Sequence, residues 1–263
     1  MASDARVELP PLRLHHFFAA TAVAAVTLAG MKIVASDTAS GRVWLSGGVP
    51  AVFTLQSLAM LFVLFGFAWR RRGLRFPSQP GHGVLLMLTV SHVYTVAVLM
   101  TAQLMPDLLF GPGEPGPLAV LTRIALEWAW PVVSLFSLCL CLWCAKTLAD
   151  ATRWRAFFWF AALMSALVLL SNLLIEKFFT SYFFALGSST AYWISMGVYY
   201  GTPALEACLL AVVAAIDYRR SVSRHWSHWL GVVLAIAAVA TNTAQILWQI
   251  LSPAWSAYPP LAN

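Results

Sequence analysis

Seven apolar runs, each long enough to cross a bilayer, leave this chain little polar sequence from which to build anything else. A helix needs about 20 mainly apolar residues to span the hydrocarbon core. Such runs lie at roughly 13–35, 49–69, 82–105, 119–147, 154–176, 191–216 and 226–251. Charged residues make up 10% of the 263, against about 25% in a soluble domain, and no polar stretch is long enough for a separate soluble domain. The expected fold class is therefore all-α, a polytopic integral membrane bundle of seven transmembrane helices forming a single domain over residues 1–263. The first run is too long for the core of a signal peptide, so it is expected to stay in the membrane.

The punctuation between runs supports this division. The third and fourth are separated by Pro106-Asp-Leu-Leu-Phe-Gly-Pro-Gly-Glu-Pro-Gly-Pro117, a strong helix breaker, and the second stops at Arg70, Arg71 and Arg72. With alternating spans, twelve of the 16 Lys and Arg gather on one side, among them Arg153, Arg219, Arg220 and Arg224. Lys32, Arg42, Arg123 and Lys177 fall on the other. The positive-inside rule then predicts a cytoplasmic N-terminus and a C-terminus outside, in a plasma (inner) membrane of bacterial type. The net charge of +6 is accounted for by these span ends, so no nucleic-acid partner is expected. A retinal protein is excluded, since the seventh run has no lysine for a Schiff base.

Within the sixth run, Ser195, Tyr199, Thr202 and Glu206 follow at spacings of 4, 3 and 4. On a 3.6-residue helix they share one face. A carboxylate at the centre of a span costs about 2.5–3.5 kcal/mol on insertion scales, so it is expected to face a partner or a water-filled cavity. Pro203, beside it, cannot return a hydrogen bond to the carbonyl four residues earlier. His92 in the third run reaches a similar depth. Lys32, Gln103, Glu127, Asn172, Glu176, Asn242, Gln245 and Gln249 fall in the outer half.

This distribution predicts an outward-facing polar cavity centred on Glu206, with His92 as its proton partner and Tyr199, Asn242 and Gln245 as orienting groups. Glu127 and Lys32 would stand near its mouth. The rival reading of His92 and Glu206 is that neighbouring hydroxyls or carbonyls satisfy each of them and tie helices together. Arg123 and Glu127, four apart, are expected to pair along one helix face. The segment from Lys177 to Gly187 has five aromatics in seven residues, fitting an interfacial belt or a short lid.

The functional expectation is a multi-pass protein binding or translocating a small solute, proton or ion. Its partners would be the lipid bilayer, that solute, and either further copies of itself or other membrane subunits. An accessory or structural subunit of a larger membrane complex is one alternative. The other rests on His225-Trp-Ser-His228 at the start of the seventh run, with His82 at the same end. A histidine pair there, in seven spans with an inside N-terminus, is similar to the zinc-dependent progestin/adiponectin-receptor and alkaline-ceramidase superfamily. The resemblance implies a zinc-activated water acting as an intramembrane hydrolase. The chain departs from that pattern: the pair is His-x-x-His rather than His-x-x-x-His, the second run lacks a histidine and the third lacks an aspartate. The more economical reading puts His15, His16, His82, His225 and His228 at headgroup level. Cys139, Cys141, Cys144 and Cys208 read as small apolar residues. No motif specifies a cofactor or a catalytic triad.

Overall fold

A computed structural model describes residues 13–36, 49–73, 75–104, 117–174 and 188–251. These residues form seven long helices, α1 (Leu14–Ser36), α2 (Val49–Arg70), α3 (Pro80–Leu104), α4 (Pro117–Thr147), α5 (Thr152–Leu174), α6 (Ser188–Arg219) and α7 (Trp226–Leu251), with no strand among the described residues. Each helix coincides with one predicted apolar run to within three residues at either end. Five contain segments long and apolar enough to cross a membrane: Pro50–Arg70, Trp128–Thr147, Thr152–Leu173, Gly201–Arg219 and Trp226–Ala244. In α1 the apolar segment is the shorter His16–Gly30. The described part of α3 is not among the five; it packs on α2, α4 and α7, and it carries His82 and His92, both buried.

The exterior is as apolar as the core. Phe18, Val26, Leu64, Leu121, Phe136, Trp159, Leu163, Leu205 and Val233 are all exposed, on six different helices. A soluble monomer does not present such a belt to water; this is the make-up of an integral membrane protein.

Helices α2 to α7 form a ring in chain order, closed by contact of α7 with α2, while α3 and α7 also meet across it. α1 packs on α2 at the edge of this ring. The α3–α7 crossing depends on two glycines. A Cβ on Gly81 would collide with the His228 backbone, and one on Gly231 with the Gly81 carbonyl. Small residues let helix backbones approach this closely.

Packing is densest at the end where the short connections 71–79, 148–151 and 220–225 lie. Trp154, Phe157 and Phe158 of α5 meet Leu210, Val213 and Ala214 of α6 and Val232 of α7 there. A second cluster joins Ala59 and Val63 of α2, Phe76, Leu85 of α3 and Leu234 of α7.

Candidate functional site

Above this packed end the ring encloses a cavity of about 480 Å³ walled by α2 to α7. Its polar groups come from five helices besides α6: Gln56 from α2, Ser91 and Thr95 from α3, Ser137 from α4, Ser165 from α5 and Asn242 from α7. Pro203, Glu206, Ala207 and Leu210 supply the α6 face. The remaining wall is apolar, including Phe53, Met87, Leu88 and Phe157. Glu206 is the ionisable residue of this wall among the described residues, and it has no hydrogen-bond or ion-pair partner among them.

Helical rise explains why these groups meet. At 1.5 Å per residue, Glu206 stands about 20 Å from the packed end of α6. Ser165 is equally far along α5, and Ser137 and Ser91 lie about 15–16 Å along α4 and α3. These groups form a polar belt about 15–20 Å from the packed end of the helices. On α6, Pro203, Glu206, Ala207 and Leu210 recur at helical spacing and so share one face.

The expected residues sort as follows. Glu206 and Asn242 line the cavity together. His92 does not: it lies on another face of α3, where its Nε2 is 2.9 Å from the Ser57 hydroxyl and its ring stands edge-on to Phe53. The expected Glu206–His92 pair is therefore not assembled. The Ser57 hydroxyl pairs with Nε2, as the rival reading had it for a neighbouring hydroxyl, while Nδ1 has no hydrogen-bond partner among the described residues. Asn172 is buried and its side-chain amide donates to Ser134 at 3.5 Å, joining α5 to α4 away from the cavity. The side chains of Tyr199, Gln245, Glu127 and Lys32 lie outside the described residues, as do those of Ser195, Arg123, Gln103, Glu176 and Gln249. The aromatic segment 177–187 and most of the breaker 106–117 also lie outside them. Gln56, Ser91, Ser137 and Ser165 were not foreseen. Single hydroxyls in apolar helices carry no distinguishing pattern, and only the shared depth of Glu206 could have drawn attention to them.

The packed end holds a second polar arrangement, built around histidines near the helix ends where the sequence placed them. His16, His82 and His228 are buried, the last two completely. His82 accepts at Nδ1 from the Ser78 amide (3.1 Å), and its Nε2 is 2.6 Å from the Ser227 hydroxyl. His225 accepts at Nδ1 from the Ser227 amide (3.3 Å), with the Ser227 hydroxyl 2.9 Å away. His228 accepts at Nδ1 from the Gly81 amide at 2.9 Å. Each imidazole thus spends its Nδ1 lone pair on an N–H donor, and the three do not converge on a common point for zinc. Among the described residues no group of three or more His, Cys, Asp or Glu side chains is arranged to hold a metal. The rings instead fasten the start of α7 to the start of α3.

Beside them lies an ion cluster that the charge count concealed. Asp217, fully buried at the end of α6, accepts from Arg153, from Trp154 Nε1 at 2.9 Å and from Arg224 Nε at 3.1 Å. Arg224 also grips Asp150 with both terminal nitrogens. The backbone brings Arg224 back onto the helix. Ser221 adopts a left-handed conformation (φ 51°), and the Val222 amide bonds the Asp217 carbonyl at 3.0 Å, an ending of Schellman type. Burial works against the charge of Arg224, but the hydrogen bonds it donates to Asp150 and Asp217, and the charges on those carboxylates, outweigh it and raise the Arg224 pKa. The cluster is a clasp that ties the 148–151 and 220–225 connections to the ends of α5 and α6.

Comparison of the chain with protein-family models, curated proteins and solved structures returned no match.

Proposed function

We propose that the protein is a seven-span membrane protein, N-terminus cytoplasmic and C-terminus outside, that binds or translocates a small solute through the cavity centred on Glu206. The observation that carries this reading is an acidic side chain, without a hydrogen-bond or ion-pair partner among the described residues, on the wall of a 480 Å³ cavity. Volumes of about 300–1,000 Å³ suit small molecules, and a buried acid in a span is costly enough to need a functional reason or a partner. The wall is apolar apart from scattered hydroxyls and amides, so the favoured solute has an apolar body and one cationic or hydrogen-donating group directed at Glu206. Asn242, Gln56 and Ser91 would orient it, and Tyr199, Gln245, Glu127 and Lys32 would act toward the outer mouth.

The test is a ligand-stabilisation screen on protein purified in lipid nanodiscs, using lipophilic amines, alcohols and amides with their methylated and carboxylate counterparts. A solute that raises the melting temperature of the wild type, and loses that effect in both Glu206→Gln and Ala207→Trp, supports the reading. Equal shifts in all three proteins, or no shift with any compound, would remove it.

A further inference from the structure

The wall of the Glu206 cavity is layered along the helix axes. Nearest the packed end it is formed by Val84, Met87 and Leu88 of α3, Phe157 of α5, Leu210 of α6 and Ala235 of α7. These stand 4 to 9 residues from the packed-end termini of their helices, about 6–14 Å along the axis, and all are apolar. Glu206 stands 13 residues from that end, while Phe53 of α2 and Trp130 of α4, which also line the cavity, both stand 17. The two rings are thus one helical turn, about 6 Å, beyond the acid. Helices α2, α4 and α6 all run toward the packed end, so their side chains lean the same way and the offset is kept. From the packed end outward the order is an apolar sac, a carboxyl group and an aromatic pair.

Charge then restricts the solute. Among the described residues of this wall there is no Lys, Arg or His. An anion finds no countercharge here, whereas a cation does. Two kinds of organic cation could meet Glu206. A primary ammonium is compact, strongly hydrated and carries three donors that each need an acceptor. A quaternary ammonium needs none, and aromatic rings are the groups that attract it. Both rings are already held by neighbours: Phe53 stands edge-on to His92 at 5.7 Å, and Trp130 edge-on to Tyr94 at 4.7 Å. A ligand meeting pre-positioned rings loses less to ordering them.

Resting on the solute-binding reading above, we infer that the cavity takes a quaternary ammonium bearing one apolar chain. The cationic head lies between Glu206 and the Phe53–Trp130 pair, and the chain fills the sac toward Phe157.

The experiment measures saturable binding of tritiated octyltrimethylammonium to the full chain. The protein is held in nanodiscs of phosphatidylethanolamine and phosphatidylglycerol, which carry no quaternary ammonium, and binding to empty discs is subtracted. Octanesulfonate and the neutral carbon isostere, 2,2-dimethyldecane, should not compete, and octylamine should compete only weakly. Glu206→Gln and Trp130→Leu should each weaken binding about 10-fold, and Trp130→Phe, which keeps an aromatic face, by less. Leu210→Trp, which fills the sac and leaves Glu206 and both rings in place, should also weaken it, and it decides the matter if the Glu206 variant fails to fold. Glu206-dependent binding of decanol with no saturable binding of the ammonium would overturn this inference and leave the wider solute-binding reading standing. No saturable binding of either compound would remove both. Equal competition by the carbon isostere, or unchanged affinity in both Trp130→Leu and Leu210→Trp, would also overturn the inference.

Discussion

Two carboxyl groups on the same helix illustrate how little a residue's type says about its role. Glu206 faces a cavity without a hydrogen-bond partner among the described residues, whereas Asp217, eleven residues on, is held by Arg153, Trp154 and Arg224. Glu206 stood out in the sequence because an acid in the middle of an apolar run has no cheap explanation. Asp217 did not, because an acid next to Arg219 and Arg220 at a span end looks like ordinary interfacial polarity. Its burial depends on Arg153 from another helix and on Arg224 returning through the turn at Ser221, and neither relation is visible along the chain. Removing one member of a buried charge cluster costs about 3–5 kcal/mol because the others are left unpaired. Asp217→Asn should therefore lower stability by about 3 kcal/mol in a denaturant titration. Asp150→Ala, at a half-exposed site, should cost under about 1 kcal/mol. Equal effects would mean that the cluster is no more than a surface pair.

Among the elements, the helices were readable almost to the residue, because period, length and composition all act locally. Their neighbours were not. The seventh run is rich in alanine, and Ala235 and Ala238 are buried. The first run is also rich in small residues, yet a Cβ on Gly30 would meet nothing within 4 Å, and α1 sits at the edge. Which small residues matter is decided by which helices cross, and the crossing that counts is α3 with α7. A methyl group at Gly231 has no room against the Gly81 carbonyl and Leu85. Gly231→Ala should then destabilise the protein by about 1–3 kcal/mol, the usual cost of overpacking, despite the gain in helix propensity. Gly30→Ala should be neutral or slightly stabilising. Matched thermal melts of the two variants check this, and a reversed order would contradict the packing described.

The molecule as a whole is a bundle fastened at one end and hollow beyond it. Histidine and ion networks fix the three short connections, while the polar belt of the cavity lies about 15–20 Å further along the helices. The proposed topology, seven spans with opposite-facing termini, rests on the charge distribution and on seven helices in sequence. Reporter fusions at residues 71–73, 148–151 and 221–224 should all report the cytoplasmic side, and a fusion at the C-terminus the outside. Any one of the three connections reporting the opposite side would break the arrangement. The cavity itself was foreseeable only in outline. A carboxylate near mid-span with amides in the outer half predicted a polar interior, but His92, at a depth similar to Glu206, does not line the cavity, because depth says nothing about which face of α3 a side chain occupies.

The central claim is that Glu206 presents its carboxyl to an open, occupiable space inside the membrane. The most direct measurement is labelling by dicyclohexylcarbodiimide, an apolar reagent that couples to carboxyl groups in apolar surroundings, followed by peptide mass spectrometry. The account predicts an adduct on Glu206 that is lost when Ala207→Trp fills the cavity, with Asp217 unmodified in its cluster. An unreactive Glu206, or labelling unaffected by Ala207→Trp, would contradict it.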